Sequence, residues 1–144
     1  MLRRLDGSAF ATGMSSYLDQ DQRHPSETAR VLVEVEFDGE TVLALLDTGA
    51  SWSVLNAELA QELGLLEQDG ESATISSRVG EIKGKLVTAT TTLVAEEGES
   101  IEVESIVFVS SEWPEGNFIG YSGLLERIRF AIDPGSNSFF FGAL

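Results

Sequence analysis

Asp47 is the residue whose surroundings in the sequence most clearly predict chemistry. It follows the apolar run at residues 41–46 and is followed by Thr48, Gly49 and Ala50. Asp and Gly are common turn formers, so this segment could simply end a strand. A carboxylate at the mouth of an apolar segment could equally serve as a general base or acid in hydrolysis. Evidence from the rest of the sequence is needed to distinguish a simple turn from a catalytic group at Asp47.

Other kinds of catalytic or metal site have little support in the sequence. The chain contains no Cys, which excludes thiolate nucleophiles and zinc-thiolate sites. Its only His, His24, lies in a polar stretch, so a Ser-His-Asp triad is not favoured. The acidic residues at 96–99 lack the spacing of a calcium loop and are better explained as a charged turn. We therefore expect no metal and no cofactor.

The composition also indicates which binding partners and which cellular location to expect. The nine Lys and Arg residues are scattered in a chain of net charge −15, so nucleic acid is not an expected partner. No apolar run approaches the roughly 20 residues of a membrane span. The N-terminus has no apolar stretch typical of a secretory signal. These features predict a cytoplasmic protein with no membrane association.

The 144 residues are most simply one domain with an N-terminal extension. Residues 1–29 are polar and aperiodic, which predicts a flexible extension, whereas 30–144 show the periodicity of a folded domain. Apolar residues alternate with polar ones from Val31 to Phe37, as in a half-buried strand. Asp38 and Gly39 then predict a hairpin into the strand that ends at Asp47.

The remaining pattern is mostly β. Asn56 can cap a short helix that Gly64 would end, with Leu59 and Leu63 on one face. Further β-like stretches cover about 73–79, 84–95, 101–109 and 128–142, the last with a turn at 133–135. A second short helix is expected near 123–127. Many short strands of this kind favour a barrel or a sandwich.

Two motifs together carry a family resemblance. Asp-Thr-Gly-Ala-Ser follows an apolar strand, and further along Phe118-Ile119-Gly120 leads into a short helix. This arrangement over residues 30–142 resembles the retropepsin-like aspartic proteases, in their single-domain bacterial or cellular-type branch. The resemblance implies a mainly β protein: a closed β-barrel of the acid protease fold, one lobe per chain, with one or two short helices.

The resemblance also implies roles for the motif residues. Asp47 would be the catalytic carboxylate, and the Thr48 hydroxyl would lock two such loops together. Gly49 and Ala50 would let a substrate backbone come close. Phe118, Ile119 and Gly120 would lie beneath the loop.

This chemistry needs two carboxylates that share one proton, as is established for aspartic proteases generally. The sequence supplies one loop of this kind, because Asp6-Gly7-Ser8 lacks an apolar strand and Asp133-Pro134-Gly135 lacks the hydroxyl. A second Asp47 must then come from a second chain, which predicts a homodimer.

Three further features remain open at this level. Residues 74–84 could form a flap over a substrate, with Val79, Gly80 and Glu81 near its tip, or an ordinary hairpin. The family's bracing Asp and Arg are replaced by Ser51 and Tyr121, so the dimer contact is unspecified. Residues 138–144 could supply that contact or form a core strand.

The sequence therefore favours a homodimeric aspartic endopeptidase that hydrolyses peptide or protein substrates. An alternative is a non-catalytic dimeric binding or scaffold module with the same fold. An unrelated acidic β domain with a chance Asp-Thr-Gly turn is the third and weakest interpretation.

Overall fold

A computed structural model describes residues 1–19, 30–78 and 80–144. Eleven strands are present in these ranges: β1 (Gly13–Ser16), β2 (Leu32–Phe37), β3 (Glu40–Leu46), β4 (Ser53–Val54), β5 (Glu71–Ser77), β6 (Gly80–Leu93), β7 (Glu97–Gly98), β8 (Ile101–Val109), β9 (Asn117–Ile119), β10 (Ile128–Asp133) and β11 (Ser138–Ala143). The helices are α1 (Ala57–Glu62) and a single 3-10 turn (Leu125–Arg127). The predicted mainly β class, with two short helices, is confirmed.

Six of the strands close into a barrel. The order is β2-β3-β9-β4-β8-β6, and β6 pairs back onto β2 through Val35↔Leu93, Glu36↔Thr92 and Phe37↔Thr91. Closure pairs both edges of every strand in the ring, which removes exposed edges. The predicted barrel is therefore confirmed.

The β2–β3 hairpin forms as the sequence predicts. Val33, Val35 and Phe37 are fully buried, while Glu34 between them is exposed. Asp38 and Gly39 both have positive φ, at 47° and 89°, as the two central residues of a type I′ turn require. The hairpin thus fixes the register that brings residue 47 to the end of β3.

Helix α1 also forms where its capping residues predict. The Asn56 side chain accepts hydrogen bonds from the amides of Glu58 and Leu59, at 3.0 and 3.3 Å. Gly64 follows the helix with φ of 72°, the left-handed conformation common after a C-terminus. No helix in the described ranges is long and apolar enough to span a membrane.

The second sheet, in the order β10-β11-β1-β7, corrects the predicted domain boundary. Strand β1 lies between β11 and β7, and its register runs from Gly13↔Phe141 to Ser16↔Ser138. Ala11 and Tyr17 are buried, and Tyr17 belongs to the main core. The prediction that all of 1–29 forms an extension outside the fold is therefore wrong for residues 11–17. Residues 20–29, including His24, lie outside the described residues.

Residues 138–144 had two interpretations, and the core strand is the one observed. Phe139 and Phe141 are essentially inaccessible, and their rings pack at a tilt of 43° with centroids 5.6 Å apart. Strand β11 has β10 on one side and β1 on the other. Both of its edges are therefore occupied within one chain.

Strands β5 and β6 form a hairpin that extends beyond the barrel. Strand β6 pairs with β8 only from Lys85 to Leu93, whereas its pairing with β5 runs from Gly80 to Leu86. The first residues of β6 therefore have β5 as their strand partner and no barrel strand. The hairpin is an arm continuous with one barrel strand.

Candidate active site

Asp47 is held at the end of β3 by its neighbour β9. The two strands are parallel and Leu46 lies opposite Ile119. The Asp47 amide donates to the Ile119 carbonyl at 2.9 Å, and the Leu46 amide donates to the Val31 carbonyl at 2.9 Å. The segment Phe118–Gly120 therefore lies directly against the end of β3, the strand that leads into Asp47.

The Asp-Thr-Gly loop orients the carboxylate through its own backbone. The Gly49 amide donates to Asp47 Oδ1 at 2.9 Å, and the Ala50 amide donates to the Asp47 carbonyl at 3.1 Å. A Cβ on Gly49 would lie 3.2 Å from Oδ1, closer than most Cβ contacts. Glycine therefore leaves the carboxylate undisturbed, and the side chain stays half-buried with one oxygen engaged by the loop.

The Thr48 hydroxyl is exposed and makes no hydrogen bond with any residue that the structure describes. The predicted role of this hydroxyl requires a second loop, which one chain does not supply.

Gly120 is required by the close approach of the segment after the Asp47 loop. A Cβ on this buried glycine would lie 2.3 Å from the Trp52 carbonyl carbon and 2.7 Å from the Ser53 amide nitrogen. The Gly120 amide donates to Ser53 Oγ at 3.0 Å, and Ser53 is completely buried. Ser53 is a supporting residue that the motif comparison missed. A hydroxyl within the apolar stretch 52–55 was the available signal.

Two further backbone hydrogen bonds connect the loop to the residues after Gly120. The Tyr121 amide donates to the Ala50 carbonyl at 2.9 Å, and the Ser122 amide donates to the Ser51 carbonyl at 2.8 Å. These links hold the Asp47 loop against the segment that precedes the 3-10 turn. The Tyr121 side chain is 49% exposed and is not part of the hydrophobic core.

A cleft of about 1300 Å³ opens beside the carboxylate. Its floor includes Asp47, Gly49 and Ala50, and one wall is a cluster of apolar side chains. The wall consists of Trp52, Val54, Ile75, Trp113 and Phe118. Trp113 and Phe118 meet edge to face with ring centroids 5.7 Å apart, a favourable aromatic geometry. Trp113 is buried in this cluster, and both Trp113 and Trp52 line the cleft.

The cleft is bounded on another side by the arm of the β5–β6 hairpin. The lining residues come from β5 and the turn, at positions 74–78. Gly80 and Glu81 lie in β6, opposite Ser77 and Ser76, and do not line the cleft. The prediction that Val79, Gly80 and Glu81 lie near the tip of a flap over a substrate therefore stays a prediction. Val79, the third predicted residue, lies outside the described residues.

The base of the hairpin is anchored by side chains on both sides. Lys85 Nζ donates to the Leu66 carbonyl at 2.6 Å and also to the Gln68 carbonyl. Ser110 Oγ donates to the Lys83 carbonyl at 2.6 Å, and Ser110 is buried. The anchors all lie at residues 83–85. From residue 82 towards the tip, the arm is supported by its own cross-strand pairing and by the apolar cluster beneath Ile75 and Ile82.

Among the residues that the structure describes, the charged groups lining the cleft are two acids and two arginines, namely Asp47, Glu115, Arg30 and Arg78. Among the described residues no group of three or more His, Cys, Asp or Glu side chains is placed to hold a metal ion.

Comparison with known families agrees with this geometry. A family model described as "gag-polyprotein putative aspartyl protease" matches residues 33–124, which include the Asp47 loop, the β5–β6 hairpin and Gly120. The chain belongs to this aspartyl protease family. A comparison of this family member with curated proteins gave no match.

Two solved structures share the fold of this chain. One is a retropepsin-like aspartic protease from Rickettsia conorii, with a TM-score of 0.62 and 21% identity over 90% of this chain and 98% of that chain. Another is the retroviral protease-like domain of Ddi1 from Leishmania major, with a TM-score of 0.59 and 19% identity over 82% of this chain and 92% of that one. At these identities the likeness shows a shared fold.

Proposed function

We propose that this protein is a homodimeric aspartic endopeptidase in which each chain contributes one Asp47 carboxylate. The observation that carries the proposal is the Asp47 carboxylate, fixed by the Gly49 amide and open to a cleft large enough for a peptide. The described part of the chain presents one Asp-Thr-Gly loop. An isologous twofold contact would bring that loop against its own copy.

The reaction would use the two carboxylates in different protonation states. Two carboxylates in contact cannot both ionise readily, so the pair shares one proton. The ionised Asp47 would take a proton from a water molecule, which then attacks the peptide carbonyl carbon. The protonated Asp47 would donate a hydrogen bond to the carbonyl oxygen, where negative charge develops. Collapse of the tetrahedral intermediate would break the C–N bond as the amine leaves with a proton.

The cleft supports a peptide substrate with an apolar side chain beside the cut bond. The wall containing Trp52, Trp113 and Phe118 would desolvate such a side chain. The β5 arm offers backbone groups to an extended peptide along the other side. The Thr48 hydroxyl would find its partner in the loop of the second chain.

The test is cleavage of denatured casein by the wild type and by an Asp47→Asn variant. Asparagine is nearly isosteric but cannot act as the base, so cleavage should be abolished while circular dichroism is unchanged. Equal cleavage by both proteins would refute the proposal. Absence of cleavage by the wild type at every pH would favour the non-catalytic scaffold instead.

A Glu115→Gln variant tests the requirement for two chains. Glu115 is the other acid that lines the described cleft. If the second carboxylate comes from another chain, this variant should retain cleavage. If Glu115→Gln abolishes cleavage as completely as Asp47→Asn, the pair would be formed within one chain and the dimeric arrangement would be wrong.

A further inference from the structure

A row of apolar side chains leads out of the cleft across the outside of the barrel. Leu45 and Phe118 line the cleft and lie opposite each other in paired strands. On its other side Leu45 lies opposite Leu32, and Leu32 lies opposite Leu18, with their backbones joined by hydrogen bonds of 2.8 and 2.9 Å. Residues directly opposite each other place their side chains on the same face of a sheet. These four side chains therefore form one unbroken row that begins in the cleft.

The row lies on the outer face of the barrel wall. Side chains alternate between the two faces of a strand, and Val33 and Ala44, which adjoin the row, are fully buried on the inner face. Leu43 shares the outer face, because it lies two residues before Leu45 in β3. Four leucines of this face belong to neither hydrophobic cluster of the described residues, and we call them the outer leucines: Leu18, Leu32, Leu43 and Leu45.

The outer leucines are accessible to a binding partner. Leu18 and Leu43 are each 48% exposed, whereas Leu32 and Leu45 are half-buried. Apolar side chains that are exposed singly are ordinary, but contiguous ones mark sites of interaction. Because this surface is continuous with the wall of the cleft, a peptide chain that occupies the cleft can extend onto it.

The charges on the same face are acidic at the end far from the cleft. Glu34 and Glu36 follow Leu32 at alternate positions of β2, so they share its face, and Glu34 is exposed and lies opposite Leu43. The residue opposite Glu36 is Thr41, so this part of the face carries no basic side chain from β2 or β3. An apolar side chain bound at Leu43 would therefore be best followed or preceded by a basic one.

We infer that the outer leucines and Glu34 bind a segment of the substrate protein away from the cut bond, in which an apolar side chain is next to Lys or Arg. The inference rests on the proposed function, because it names the class of substrate that the cleft receives. The apolar side chain covers the outer leucines, and the basic side chain pairs with Glu34. The net charge of −15 also attracts a basic segment at longer range.

The spacing of the strands sets the distance of this segment from the cleft. Neighbouring strands lie about 4.8 Å apart, so the two spacings from Leu45 to Leu18 measure about 10 Å. An extended peptide advances about 3.3 Å per residue and covers this distance with about three residues. The docked side chain therefore lies about three residues beyond the part of the substrate that fills the cleft.

The test measures peptide binding to the Asp47→Asn variant, in which cleavage does not interfere. The probe is a fluorescein-labelled peptide with two Phe residues for the cleft and a Leu-Lys pair about three residues further on at each end. The comparison peptide has Ser-Gly in place of each Leu-Lys pair. Burial of one leucine side chain should make the Leu-Lys peptide bind about tenfold more tightly by fluorescence anisotropy. Equal Kd values for the two peptides would overturn the inference.

A substitution in the outer leucines locates the contact. Leu43→Ser, added to Asp47→Asn, should remove most of the tenfold difference and leave the Kd of the comparison peptide unchanged. Leu5→Ser is the matched control, because Leu5 is a fully exposed leucine in the N-terminal segment. If Leu43→Ser keeps the whole difference, or if Leu5→Ser loses as much of it, the outer leucines are not the docking surface.

A charge exchange tests the basic residue independently. Glu34→Lys should reverse the preference, so that a peptide with Leu-Glu pairs binds more tightly than the one with Leu-Lys pairs. Glu102→Lys changes the net charge equally at an exposed position in β8 and should keep the original preference. The same preference in both variants would rule out the pairing with Glu34.

Casein cleavage by the wild type is scored separately, so the two proposals can fail independently. Cleavage of casein together with equal peptide Kd values would remove the docking surface and leave the proposed function standing. A tenfold difference in Kd without any cleavage would keep the surface and refute the hydrolysis.

Discussion

A substitution at Gly120 gives the sharpest test of how the Asp47 loop is supported. An alanine Cβ there would lie 2.3 and 2.4 Å from the Trp52 carbonyl carbon and oxygen, and 2.7 Å from the Ser53 amide nitrogen. The three neighbours are backbone atoms, so no side chain can rotate away. The shortest contact is about 1 Å inside the 3.4 Å at which ordinary contact begins. Either residues 52–53 or residue 120 must move by about that distance.

The size of the expected stability loss follows from the contacts that this movement strains. Overpacking a buried site costs roughly 1–3 kcal/mol, and a backbone clash belongs at the upper end. The hydrogen bond from the Gly120 amide to Ser53 Oγ, at 3.0 Å, would lengthen as well. We therefore expect a loss of about 3 kcal/mol in the free energy of unfolding, equivalent to a Tm lowered by about 10 °C for a chain of this size.

The assay is urea unfolding followed by tryptophan fluorescence, at one protein concentration for all variants. Gly116→Ala is the matched control, because its Cβ would have no atom within 4 Å. Both substitutions lower the entropy of the unfolded chain equally, so this effect cancels in the comparison. Gly120→Ala should also lose about a hundredfold in cleavage rate, since a displacement of about 1 Å at a reacting group has that effect. Equal stability of the two variants would refute the packing argument.

Three further outcomes are expected. Deletion of residues 1–17 should destabilise or unfold the protein, because it removes β1, Tyr17 and the strand that covers Phe141; a deletion variant with an unchanged urea midpoint would contradict this. Ser110→Ala should raise KM more than it lowers kcat, since it frees the Lys83 carbonyl that anchors the hairpin without touching Asp47; an equal loss in kcat would argue against an anchoring role. The cleavage rate should peak on the acid side of neutrality, because the shared proton is lost once both carboxylates ionise, and a maximum above about pH 7.5 would contradict the mechanism.

Local signals in the sequence predicted the elements that carry the site. The alternation that buries Val33, Val35 and Phe37 is a period of two, and the Asp38-Gly39 turn follows from its φ requirements. Both features depend only on residues that are close together in the sequence, so the sequence alone is enough to predict them. The position of Asp47 at the end of β3 follows from the same hairpin.

Strand β1 was missed because its buried face is not apolar. The buried residues of β1 are Gly13 and Ser15, so the alternation is present in the structure but absent from a hydrophobicity pattern. Gly13 occupies its position because a Cβ would lie 2.4 Å from both the Glu99 carbonyl oxygen and the Phe141 ring. This constraint comes from residues far away in the chain. The sequence likewise does not say which arm of the β5–β6 hairpin faces the cleft, since the tertiary position of the hairpin decides this.

The pairing of β1 with β11 has a consequence for the order of events during synthesis. Gly13 pairs with Gly98 and with Phe141, so a strand made early lacks its four-residue pairing with β11 until residues 138–143 have been translated. The Asp47 loop also cannot form its supporting hydrogen bonds until late in translation, because these bonds involve Ile119 and Gly120. Translation proceeds at about 5–20 residues per second, which leaves the early strands without these contacts for several seconds. A nascent chain therefore cannot present an assembled Asp47 loop, and the hydrolytic function we propose would be confined to chains whose translation has passed this point.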